Sequence, residues 1–182
     1  IIYTDRGESV LRDYVIQMET FDSLLRARHG LPETGVPPRK LPIYLVRSRA
    51  DLQRTWHGAS DMVAGYYTSG PGDVFAIAVL EGDDEDSVTL KHEYVHHFML
   101  QNFPGAYPAW MVEGYAEYYS TTRIKGAFVE VGRVNVGRSS ELRDGRWLKI
   151  ADVLSNKRGP GTSSWSDFYA ESWLLTHYLM SD

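Results

Sequence analysis

The segment of residues 87–102 places several ionisable side chains, with two histidines and a glutamate among them, inside an apolar helix. A helix is predicted here because apolar residues recur along it at helical spacing. These residues are Val88, Leu90, Val95, Phe98, Met99 and Leu100. His92, Glu93 and His96 interrupt this apolar surface. Burying two imidazoles and a carboxylate without partners would cost several kcal/mol. A fold that contains this helix must therefore supply partners for these three side chains.

The spacing of the two histidines predicts a shared ion. Side chains four apart on a helix lie about 40° apart around the axis and roughly 6 Å apart along it. His92 and His96 therefore project from one face. Neutral imidazole nitrogen suits Zn²⁺, and Glu93 would stand beside a metal-bound water, close enough to remove its proton. The segment HEYVH matches the HExxH arrangement. His97 points about 100° away from His96, and we interpret it as a packing residue.

The next helix, predicted from Pro108 to about Thr121, carries two carboxylates at the same spacing. Glu113 follows His96 by 17 residues, which allows a helix end, a loop and a return helix beside the first. Metal-bound histidine usually donates its other N–H to a carboxylate. We therefore predict Glu113 as the third metal ligand and Glu117 as the supporting carboxylate of His92. Gly114 costs about 1 kcal/mol inside a helix, which is expected if this helix must approach a neighbour closely.

Together the two segments resemble the gluzincin metallopeptidases, in which HExxH is followed by a glutamate on the next helix. The stretch WMVEGYAEYY is similar to the W-x-x-E-G-x-A-E-Y signature of the bacterial peptidase-MA-like domains. The specific resemblance spans about Lys91 to Tyr119. A metzincin would instead continue with Gly and His, where this chain has Met99 and Asn102.

This resemblance implies a zinc-dependent metallopeptidase. One Zn²⁺ would be held by His92, His96 and Glu113, with Glu117 supporting the site. Peptide bonds would be hydrolysed by a metal-bound water, with Glu93 as the general base. Aminopeptidases of this group also use a GxMEN-like segment, which this sequence lacks, so endopeptidase action is favoured. Two alternatives stay open: a zinc hydrolase that acts on other bonds, and a catalytically silent, metal-holding binding module.

The resemblance also implies a zincin-like α+β fold. A small mixed or antiparallel sheet would pack on the helix that carries HExxH, and a mostly helical part would follow. We expect a single catalytic domain over residues 1–182, β-rich to about residue 86 and helical from about residue 87. Zincin-like folds offer an edge strand to an extended peptide, and we assign this strand to Val74–Leu80. The chain begins without Met and stops at HYLMSD, so we expect it to be a piece of a longer protein.

A donor for the oxyanion is expected beyond the second helix, as in other members of the family. The closing helix, predicted from Trp165 to Met180, offers Tyr169 and His177. Tyr169 is our choice, and simple packing is the alternative interpretation of this tyrosine. We interpret His177 as a surface or core residue.

Local patterns predict the remaining elements. A helix over residues 8–29 is ended by Gly30, and the stretch LPIYLV is a strand. A short helix near Ala50–Trp56 starts at Ser48 or Asp51, and residues 64–80 form a hairpin. Residues 127–137 read as a strand or hairpin, and WLKIADVLS as a short helix. The acidic run Glu81–Asp86 is predicted as a solvated loop, with Asp86 or Ser87 capping the next helix.

Composition excludes some partners. With 19 Lys+Arg against 24 Asp+Glu, the formal charge is -5, and no basic stripe appears, so nucleic acid is not an expected partner. No apolar run is long enough for a membrane helix. The absence of cysteine excludes disulfides and thiolate metal sites but assigns no compartment. The expected partner is a peptide or protein substrate, and no oligomeric state is predicted.

Overall fold

The computed structural model describes residues 1–32, 40–59, 63–70, 72–80, 87–143, 147–155 and 165–181. The chain divides into two compact units, Ile1–Phe103 and Pro104–Asp182. The first contains β1 (Ile2–Thr4), α1 (Glu8–Arg28), β2 (Ile43–Val46), α2 (Arg49–Thr55), β3 (Gly65–Ser69), β4 (Val74–Val79) and α3 (Val88–Asn102). The second contains α4 (Ala109–Ser120), β5 (Arg123–Lys125), β6 (Phe128–Glu130), α5 (Val136–Arg143), α6 (Ile150–Leu154) and α7 (Trp165–Met180). The predicted α+β class is confirmed.

The first unit is built on a mixed four-stranded sheet in the order β1-β2-β4-β3. The pairs β1–β2 and β2–β4 are parallel, whereas β3 and β4 form the predicted antiparallel hairpin. The assignment of Val74–Leu80 as an edge strand is wrong, because β4 lies between β2 and β3. Four consecutive residues of β4, Ala76–Val79, are buried, which is typical of a central strand. The edge strand on this side of the sheet is β3.

Helix α1 forms where its apolar stripe was predicted. Phe21 and Leu25 are fully buried on this stripe. Gly30 ends the helix as expected, with a φ of 64° that a side chain would disfavour. The backbone N–H of Leu31 donates to the Arg26 carbonyl and that of Gly30 to the Ala27 carbonyl. This is the Schellman arrangement, which satisfies carbonyls that the last turn would leave without partners.

Helix α3 packs against β3 and β4, as the sequence predicts for the helix that carries HEYVH. Gly65 permits the close approach, because a Cβ there would lie 2.7 Å from Thr89 Cγ2 and 2.9 Å from the Ile77 carbonyl oxygen. Ser87 occupies the N-cap position, but its side chain makes no capping hydrogen bond. The predicted acidic loop, including the alternative cap Asp86, lies outside the described residues.

The second unit is organised by the packing of α4 against α7, and α5 and α6 also contact α7. Helix α7 has the bounds that the sequence predicts, and α4 begins at Ala109 with Pro108 at its N-cap position. The prediction for residues 127–137 is half right: β6 pairs with β5 in a hairpin, but α5 begins at Val136. Throughout the described ranges, no helix is both long and apolar enough to cross a membrane.

Candidate metal centre

The two histidines of HEYVH already have the geometry of a chelating pair. His92 Nε2 lies 3.1 Å from His96 Nε2. The ring centroids are 4.8 Å apart, and the ring planes are nearly perpendicular at 81°. With ligands at about 2.0–2.1 Å from a tetrahedral zinc ion, two ligand nitrogens lie about 3.3 Å apart. Both histidines are half-buried. One turn of α3 therefore sets both imidazoles at nearly the separation that zinc requires.

Glu113, the predicted third ligand, lies on α4 in the second unit and is half-buried there. Its place among the ligands stays a prediction. Two imidazole nitrogens and one carboxylate oxygen form the donor set of catalytic zinc sites that keep a fourth position for water or substrate. The chemistry of the three predicted ligands therefore fits zinc.

Glu93, the predicted general base, is buried on the same helix, with only 9% of its surface exposed. It immediately follows His92 in α3, so it projects about 100° around the helix axis from that ligand. A carboxylate that is shielded from bulk water beside two candidate metal ligands is suited to proton transfer. Its action as a base stays a prediction.

A polar network on α3 ties this helix to α1. Tyr94, the residue that follows Glu93, donates a hydrogen bond of 2.8 Å from its hydroxyl to Asp22 Oδ1. Arg26 Nε donates to Asp22 Oδ2 at 2.6 Å. Burial, together with Asp22, raises the pKa of Tyr94, so the phenol stays protonated as a donor. No sequence pattern predicts this hydrogen bond, because Asp22 and Tyr94 are 72 residues apart.

His97 ties α3 to the edge strand β3. Its Nδ1 lies 3.2 Å from the hydroxyl of Tyr67, and the two rings meet edge to face. Burial lowers the pKa of His97 to about 4, so the ring is neutral near pH 7. His97 does not belong to the candidate ligand group. The interpretation of His97 as a packing residue is in agreement with these contacts.

Glu117 has partners that the sequence did not reveal. Arg138 Nη2 donates to Glu117 Oε1 at 2.6 Å, and Asn135 Nδ2 donates to Oε2 at 2.9 Å. Glu117 is only 4% exposed. Burial opposes the charge of Arg138, but the hydrogen bonds and charges of Glu117 and Glu141 outweigh it, so the pKa of Arg138 is raised. The predicted support of His92 by Glu117 stays a prediction.

The two candidate oxyanion donors lie at opposite ends of α7. Tyr169 is in the first turns, and its ring centroid lies 5.1 Å from the guanidinium carbon of Arg138. His177 follows two turns later, about 12 Å further along the axis. Its ring contacts Tyr118 and Trp173, and its Nδ1 makes no hydrogen bond with any described residue. Tyr169 thus shares a cluster with Arg138 and Glu117, whereas His177 packs elsewhere on the helix.

The fold is α+β, and α3 carries two histidines in the geometry of a chelating pair. A family model described as "Protein of unknown function (DUF1570)" matches residues 86–182, which is more than half of the 182-residue chain. The chain therefore belongs to this family. No curated protein matches it. The matched region contains HEYVH, both carboxylates of α4 and the whole of α7.

Proposed function

We propose that this protein is a zinc-dependent metallopeptidase of the gluzincin type. The observation that carries the proposal is the pair of histidines on α3, because His92 Nε2 and His96 Nε2 lie 3.1 Å apart. A mixed sheet packed on the helix that carries HEYVH also supports a zincin-like fold. The sequence resemblance over Lys91–Tyr119 leads to the same class of enzyme.

The residues would divide the chemistry between binding and proton transfer. His92, His96 and Glu113 would hold the ion, with both imidazoles neutral so that their nitrogen lone pairs are available. When bound, Zn²⁺ would polarise a substrate carbonyl and lower the pKa of a water molecule towards about 7. The carboxylate of Glu93 would accept a proton from the attacking water and pass it to the leaving amine nitrogen. The hydroxyl of Tyr169 would donate a hydrogen bond to the oxyanion.

The edge strand β3 supports a peptide as the substrate. Among the described strands, β3 pairs only with β4, so one side of its backbone faces no neighbour in the sheet. Such an edge can pair with an extended peptide through main-chain hydrogen bonds. Strand β3 also packs directly on α3, and Tyr67 links it to His97. A peptide on this edge would therefore lie along a strand that packs on the HEYVH helix. Since the sequence lacks a GxMEN-like segment, we propose endopeptidase action.

The proposal is tested by replacing the base while keeping the ligands. Glu93→Gln should lower the turnover of a mixed peptide library by at least about 100-fold, because general base catalysis contributes that much or more. Its zinc content should equal that of the wild type. Glu8→Gln is the matched control, because this carboxylate is exposed on α1. Unchanged turnover in Glu93→Gln would contradict the assigned role. A wild-type protein that holds zinc and cleaves no amide would favour the silent binding module, and one that cleaves only other bonds would favour a different zinc hydrolase.

A further inference from the structure

Helix α5 is held in the second unit by polar contacts. None of its residues, all of which the structure describes, is buried. Arg138 of this helix binds Glu117 of α4, and Glu141 accepts a hydrogen bond from Ser166 of α7. Asn135, just before the helix, also binds Glu117. Because apolar burial contributes so little here, the placement of α5 depends on these hydrogen bonds.

Arg138 is the centre of this polar cluster. Its Nη2 donates to Glu117 Oε1 at 2.6 Å, and its Nη1 donates to Glu141 Oε2 at 3.0 Å. Its guanidinium carbon lies 5.1 Å from the ring centroid of Tyr169. Charge-assisted hydrogen bonds are roughly twice as strong as neutral ones, and the planar guanidinium also suits the face of an aromatic ring. One side chain therefore contacts functional candidates from both α4 and α7.

The cluster determines the orientation of the Glu117 carboxylate. Arg138 occupies one oxygen and Asn135 the other, so the carboxylate plane is held from two sides. Glu117 lies one helical turn after Glu113, and both project from the same face of α4. Lysine could replace the charge of Arg138 but not its planar fork. Without that fork, the buried carboxylate would lose its main counter-charge and be able to reorient.

We propose that Arg138 is a positioning residue for the candidate zinc centre, an inference that rests on the proposed function. It acts through Glu117, whose orientation it sets, and it also places the ring of Tyr169. It takes no part in proton transfer and binds no metal. A merely structural role, in which Arg138 only docks α5, would change the stability of the protein but not the zinc affinity of the folded protein.

A double-mutant cycle distinguishes these two roles. Zinc Kd would be measured by competition with a chelator for the wild type, Arg138→Gln, Glu117→Gln and the double variant, after circular dichroism has shown that each is folded. Loss of groups that support a metal ligand typically weakens metal affinity by about 10- to 100-fold. Arg138→Gln and Glu117→Gln should each weaken zinc binding within this range. The double variant should be no weaker than Glu117→Gln alone, because Arg138 acts through that carboxylate.

Two further variants complete the experiment. Arg143→Gln is the matched control, since this exposed arginine ends α5 and its Nε donates a hydrogen bond to the carbonyl of Ser139 in the same helix. It should bind zinc like the wild type. Arg138→Lys should also bind zinc more weakly than the wild type, and it serves as the test if Arg138→Gln does not fold.

Three results would overturn the inference. A wild-type zinc Kd in folded Arg138→Gln or Arg138→Lys would exclude a positioning role. Additive losses in the double variant would show that Arg138 does not act through Glu117. A wild-type protein that binds no zinc would overturn the proposed function and this inference together, whereas the first two results would leave the zinc proposal standing.

Discussion

At the scale of single residues, Glu113 and Glu117 have the same chemistry but different predicted roles. They lie one helical turn apart on α4. Glu117 accepts hydrogen bonds from Arg138 and Asn135 on its two oxygens. A carboxylate whose charge is already balanced by arginine is the poorer metal ligand. This pairing supports the proposal that Glu113 is the ligand and Glu117 the supporting residue.

Tyr169 provides a test at this scale. If its hydroxyl donates to the oxyanion, Tyr169→Phe should lower kcat by about 100-fold or more, the usual effect of losing one such donor. The zinc Kd should not change, because Tyr169 is not among the proposed ligands. Tyr178→Phe on the same helix is the control, since this tyrosine is exposed. Steady-state kinetics with an unchanged kcat would identify Tyr169 as a packing residue only.

The sequence predicts which residues share a helix face better than it predicts which residues meet through tertiary packing. His92 and His96 could be paired because four residues of helix geometry relate them directly. Glu113 could be added because the next helix carries two glutamates at the same four-residue spacing as the histidines. Arg138 could not be paired with Glu117, because 21 residues and a hairpin separate them and several arginines were equally suitable. Partner choice of this kind is decided by tertiary packing.

At the scale of elements, the close packing of α4 and α7 depends on Gly114. A Cβ at this position would overlap the Ser172 carbonyl oxygen and the Thr176 hydroxyl. Both α7 residues are buried, so neither side has room to move away. The sequence predicted a close approach at Gly114 from the cost of glycine in a helix, and this is confirmed. Glu113 is the neighbouring residue, so this contact also holds the turn of α4 that carries the proposed ligand against α7.

Gly114→Ala should therefore destabilise the protein. Overpacking a well-packed interface typically costs about 1–3 kcal/mol, which exceeds the helix-propensity gain of about 1 kcal/mol. Gly137→Ala is the control, because a Cβ on this exposed helical glycine meets only Asn135 Oδ1, at an ordinary 3.5 Å. The control should be neutral or slightly stabilising. Chemical denaturation measures the free energy of unfolding of both variants. A Gly114→Ala variant that is more stable than the wild type would contradict the close packing of α4 and α7.

Element prediction succeeds where a pattern is long and fails where it is short. Helices α1, α3, α4 and α7 span three or more turns, and their apolar residues reveal them. Strands β1 and β5 were not predicted, because each has only three residues and shows too little alternation. Helix α5 was missed because it has no apolar stripe, and its polar contacts leave no periodic signal. The order of the strands also escaped prediction, so β4 was taken for the edge in place of β3.

At the scale of the whole molecule, all candidate metal ligands lie within the part of the chain that defines its family. The family model covers residues 86–182, which includes α3, α4 and α7. The mixed sheet formed by β1–β4 lies before this region. A protein with a formal charge of -5 attracts divalent cations in general. Specific zinc binding is therefore tested by substituting the proposed ligands themselves.

Zinc content of the purified, dialysed protein tests the central claim most directly. The account predicts one zinc ion per wild-type chain, and none above background in His92→Ala or Glu113→Ala. Arg143→Gln should keep one ion per chain, which controls for substitution as such. A wild-type protein free of zinc after exposure to the metal, or a Glu113→Ala variant that still holds one ion per chain, would contradict the account.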